Sequence, residues 1–90
     1  MMDAIRVQGF SESEQLLMVG AELMRASRWQ KEDKENFLGA LERTLALIDF
    51  MISDPKWRER TRMLLGLREE TARFYAGEAP GDVLELYRAL

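Results

Sequence analysis

Between residues 37 and 52 apolar side chains recur at helical spacing and cover about half of the helix circumference. Phe37, Leu38, Leu41, Leu45, Ile48 and Ile52 form the centre of this stripe, and Ala40, Thr44, Leu47 and Met51 widen it. An apolar arc this broad cannot be buried against a single neighbour. It marks the central helix of a bundle, in contact with at least two others.

The flanking sequence supplies those neighbours. Ser11-Glu12-Ser13-Glu14 has the form of a capping box, and a first helix is expected over 11–27. Its inward face is read as Leu16, Leu17, Gly20, Leu23 and Met24, with Gly20 marking a close approach by another helix. Asp33 is placed to cap the central helix. Asp54-Pro55 is the clearest boundary, because Asp54 can cap and proline suits the first helical position, where its missing N–H is unpaired anyway. A third helix is expected over 55–76, ending at Gly77 in the left-handed conformation, with Trp57, Thr61, Leu64, Leu67, Thr71, Phe74 and Tyr75 inward. After Ala79-Pro80-Gly81, the residues Val83, Leu86, Tyr87 and Leu90 follow helical spacing in a short last helix. The expected fold is all-α: an up-down-up bundle of three long helices with a short C-terminal fourth helix. Residues 1–10 are expected to be a flexible N-terminal segment and 11–90 a single domain.

Function is bounded first by what is missing. The chain has no histidine and no cysteine, which removes the usual neutral-pH proton shuttle, the thiolate nucleophile and most zinc ligands. Acidic groups such as Glu32, Asp33 and Glu35, or Glu69 and Glu70, follow no calcium-loop pattern, and a four-helix di-iron site needs Glu-x-x-His. Neither a metal nor another cofactor is expected. No Gly-rich phosphate loop or nucleophile elbow occurs, so an enzyme is not expected; a pocket with perturbed groups around Lys31 or Tyr75 would reopen that reading. No apolar run approaches the ~20 residues of a membrane span, and residues 1–10 lack the apolar core of a signal peptide. A soluble, cytoplasmic protein is expected.

Hydrophobic residues make up 47 % of a chain too short to hide them all, which argues for a partner or for self-association. Met18, Met24, Phe50, Met51 and Met63 are the candidate contacts of an adaptable groove, since methionine fits varied surfaces. Phe50 is expected to face outward and to anchor a homodimer that a partner helix can displace. The net charge of −3 argues against a dedicated nucleic-acid binder, yet residues 55–76 carry six positive against three negative side chains. Lys56, Arg58, Arg62 and Arg73, with Trp57 alongside, therefore form an alternative nucleic-acid contact. Arg60 and Arg68 fall on the apolar half of the third helix and are expected to pair with Glu42 or Asp49.

Ala40-Leu41, Leu47, Met51 and Asp54, followed by Glu70-Thr71, Gly77-Glu78-Ala79 and Leu84-Glu85-Leu86, resemble the FlaF-type small flagellar-biosynthesis regulators over residues 40–90. Two positions depart from that pattern: Thr44 stands where the family commonly has Asn, and Ile48 where it has Trp. The first helix, with Leu16-Leu17-Met18, is similar to the opening helix of flagellin export chaperones. The resemblance implies an adaptor or chaperone that holds a partner's amphipathic helix.

Overall fold

The computed structural model describes residues 4–90, and every regular element in that range is helical. The order is α1 (Ala4–Gln8), α2 (Glu12–Trp29), α3 (Lys34–Ile52), a 3₁₀ turn (Pro55–Arg60), α4 (Thr61–Tyr75) and α5 (Leu84–Arg88). Helix α3 is the central layer: α2 packs along one flank, α4 along another, and α2 and α4 meet chiefly through it. Its buried residues are Phe37, Ala40, Leu41, Thr44, Leu47, Ile48 and Met51, so the broad apolar arc does contact two neighbours.

The helix ends follow the local chemistry of the sequence. The Ser11 hydroxyl accepts from the Glu14 N–H while the Glu14 carboxylate accepts from the Ser11 N–H, completing the capping box. Asp33 accepts from the Asn36 N–H, and Asp54 accepts from the Lys56 N–H ahead of Pro55. At the end of α4, Gly77 takes a φ of 75°, its N–H donates to the Phe74 carbonyl, and the Glu78 N–H donates to the Arg73 carbonyl at 2.9 Å. This is a Schellman closure, which returns two orphan carbonyls to partners.

Two segments differ from the sequence reading. Residues 4–8, expected to be flexible, form α1 and dock on α3 through Val7, which is 2 % exposed; residues 1–3 of that segment lie outside the described residues. The reason is a set of polar partners from distant parts of the chain. The Gln15 amide donates to the Val7 carbonyl at 2.8 Å, the Lys56 ammonium donates to the carbonyls of Gln8 and Phe10, and the Gln8 amide donates to Phe50 O and Ser53 Oγ. The carbonyls of Ile5, Arg6 and Val7 also accept from the Gly9 and Phe10 N–H groups, whereas that of Gln8, at the end of the helix, is met by Lys56.

The expected third helix also divides, with a 3₁₀ turn over its first six residues. That turn advances by 3.0 residues rather than 3.6, so each residue rotates about 20° further than in an α-helix. It drives the Trp57 indole fully into the core, where its N–H donates to the Gln15 side-chain oxygen. It also carries Arg60 away from α3.

The face of α2 is rotated relative to the expected one. Gln15, Val19, Gly20, Leu23 and Ala26 are buried, whereas Leu17 and Met24 point to solvent. Two buried threonines, Thr44 and Thr71, return their hydroxyls to the carbonyls of Ala40 and Leu67, both at 2.8 Å. No helix is long and apolar enough to cross a membrane among the described residues.

Candidate functional site

An open apolar groove lies where α5 crosses α2. A polar clasp holds the connection before α5 against the C-terminal half of α2. The Ser27 hydroxyl donates to Asp82 at 2.8 Å, the Gln30 amide donates to the Gly81 carbonyl, and the Val83 N–H donates back to the Gln30 side-chain oxygen. Val83 plugs the core at the start of the helix. The Leu84 N–H and the Ser27 hydroxyl hold the Asp82 carboxyl below its ordinary range.

So anchored, α5 lays Tyr87 over Gly20. A Cβ at Gly20 would stand 2.5 Å from the Tyr87 ring, so only glycine leaves room for this crossing. Leu16, Leu17, Tyr87 and Leu90, with Ser13 and Arg88 at the rim, then line a groove of about 510 Å³. Leu17 is 69 % and Leu90 43 % exposed. Arg88 is held by Glu85 one turn away.

The five residues expected to form a groove are not brought together. Met51 is fully buried in α3, and Met18 and Phe50 are half-buried against the core. Phe50 does not face outward as expected, because α1 packs on α3 and the Gln8 amide bonds the Phe50 carbonyl. Met24 and Met63 are exposed, but on α2 and α4 respectively.

The basic start of the third segment is dispersed in the same way. Trp57 is inside the core and offers no face to a base, and the Arg60 guanidinium lies 5.0 Å from its ring centre. Lys56 is spent on α1 and lies 3.3 Å from Asp54, while Arg73 pairs with Glu70. Arg58 and Arg62 remain exposed, with no partner among the described residues.

The ion-pair expectation holds for one of the two arginines. Arg68 Nε donates to Asp49 at 2.6 Å, and this bond raises the Arg68 pKa further. Arg60 instead approaches Glu12 at 3.8 Å, a consequence of the 3₁₀ phase, and Glu42 accepts from the Tyr75 hydroxyl at 2.7 Å.

A second cleft of about 330 Å³, between the start of α3 and the end of α4, is lined by Tyr75, Phe37, Phe74 and Lys34 among others. The bond to Glu42 raises the Tyr75 pKa, which keeps the phenol protonated and unlike an activated base. Among the described residues, no three acidic side chains are grouped to hold a metal ion.

None of the six lining residues stands among the candidate contacts read from the sequence, which places Leu16, Leu17, Tyr87 and Leu90 on helical stripes. The competing signal was in the sequence, since Gln15, Val19, Leu23 and Ala26 also recur at helical spacing and define the stripe that is actually buried. No family model matches the chain, and no curated protein or solved structure matches it significantly.

Proposed function

We propose that the chain is a non-enzymatic helical adaptor whose α2–α5 groove receives the apolar face of a partner's amphipathic helix. One observation carries this reading. Four apolar side chains, Leu16, Leu17, Tyr87 and Leu90, converge around an open groove whose walls are fixed by buried Val83 and the Ser27–Asp82 and Gln30 clasp. Grooves of this kind take apolar anchors spaced three and four residues apart on a partner helix. The implied role is that of the small export chaperones and regulators that the sequence resembles.

The groove rests on an up-down-up path through α2, α3 and α4. Two cross-helix pairs support its α3–α4 step: going forward along α4 from Arg68 to Tyr75, the partners on α3 go backward from Asp49 to Glu42. Burial of Trp57 takes from the nucleic-acid alternative its stacking platform, leaving Arg58 and Arg62 as its unpaired cations.

A photo-crosslinker at Ser13, on the groove rim, tests the reading in the native host. The expected result is one crosslinked protein other than a second copy of this chain, attached through an amphipathic helix and lost in Leu17→Asp with helicity intact. Crosslinking unchanged by Leu17→Asp, or retention of nucleic acid that falls steeply with salt, would overturn it.

A further inference from the structure

Beside the groove, and sharing Leu17 with it, the solvent face of α2 carries a stripe whose end charges are self-complementary. Glu14, Leu17, Ala21, Met24 and Arg28 all point outward, and about Ala21 they stand at −7, −4, 0, +3 and +7. A helix laid antiparallel on itself about a two-fold axis at Ala21 sets Glu14 against Arg28 of the second copy at both ends, and brings Leu17 within one residue step of its Met24, beside its Arg25. The small Ala21 side chain lets the backbones approach at the axis. The stripe is about 21 Å long at 1.5 Å per residue.

The charges at its ends are available. Arg28 stacks over the neighbouring Trp29 ring at 5.3 Å and meets no carboxylate among the described residues. Glu14 spends one carboxylate oxygen on the Ser11 N–H and leaves the other unused. Leu17 is 69 % and Met24 53 % exposed, with Tyr87 and Leu90 continuing the apolar surface on one side.

We infer that a second copy of this chain docks here, forming an isologous dimer through antiparallel α2 helices with reciprocal Glu14–Arg28 ion pairs. The charge order from Glu14 to Arg28 is its own complement when reversed, so a two-fold copy meets an opposite charge at both ends at once. The contact stands apart from the groove reading, because Ala21 and Arg28 do not line the groove. The two surfaces share Leu17, so a helix seated in the groove competes with the second copy.

Charge reversal tests the geometry. The full chain is expected to sediment as a reversible dimer. Glu14→Arg and Arg28→Glu are each expected to weaken it about tenfold, since two rim pairs turn from attractive to repulsive. An equimolar mixture of the two variants is expected to restore the dimer, because each chain then meets opposite charges at both ends. Wild type that stays monomeric at millimolar concentration, single variants that dimerise like wild type, or a mixture that remains monomeric would each overturn the proposal.

Glu14→Arg also removes the capping box, so a second measurement is independent of it. The chain has no native cysteine, and Ala21→Cys is expected to oxidise to a covalent dimer at the axis, whereas Gly66→Cys, exposed on α4, does not. Equal oxidation of the two, or none at Ala21→Cys, would count against the two-fold contact.

Discussion

Gln15 shows how one polar side chain can organise an apolar interior. It is fully buried, its amide N–H bonds the Val7 carbonyl, and its oxygen accepts the Trp57 indole N–H, so both ends of the group are used. Gln15→Leu roughly keeps the volume but strands the buried Trp57 indole N–H, while the Val7 carbonyl keeps the Phe10 N–H. A loss of about 1–3 kcal/mol is expected in urea unfolding. Gly20→Ala is a different test: a better helix former enters, but its methyl must displace the Tyr87 ring. A net loss of about 1–3 kcal/mol is expected, with an altered Tyr87 environment in NMR spectra. Gly20 was legible because a glycine inside an apolar stripe costs helix stability and needs a reason. Gln15 was not, because periodicity gives a polar side chain no credit for being buried.

Among the elements, the helix caps were legible and the phase of α2 and of the turn after Pro55 was not. Capping is written into short local patterns: Ser11 to Glu14, Asp33, Asp54-Pro55 and Gly77 all act within a few residues of themselves. The 3₁₀ turn depends on burying Trp57 against Gln15, a partner 42 residues away, and no local pattern announces that. The same distance hides α1. Five residues are too few to hold a helix alone, and α1 persists through Val7 and the donors of Gln15 and Lys56. Lys56→Met leaves the carbonyls of Gln8 and Phe10 without their cation. Hydrogen exchange over residues 4–10 is therefore expected to speed up at least tenfold, with α3 and α4 unchanged. Equal protection in the variant would mean that Val7 alone seats the helix.

For the whole molecule, the all-α class followed from the half-buried circumference of one helix, and α3 does lie between two neighbours. Its response to acid follows from three carboxyls. Burial pushes Asp54 up, but the Lys56 backbone N–H and ammonium outweigh it and hold the group below its ordinary range. Glu14 is lowered by the Ser11 N–H, and Asp82 by the Leu84 N–H. Carboxyls with folded-state pKa values below the unfolded ones stabilise the fold fully above the ordinary carboxylate range, and that contribution drains away as the pH falls through it. Stability is expected to be flat near neutrality and to decline below about pH 4, and Asp82→Asn should remove part of that slope in thermal melts at graded pH.

The placement of Trp57 has an optical consequence. One of the two tryptophans is sealed at the junction of α1, α2 and the 3₁₀ turn, and the other, Trp29, is half-buried at the far end of α2. Trp29→Phe would leave a single fluorophore whose emission is blue while the junction is dry and reddens when water enters. Loosening of the N-terminal corner would then be visible by eye of the fluorimeter before the bundle itself melts.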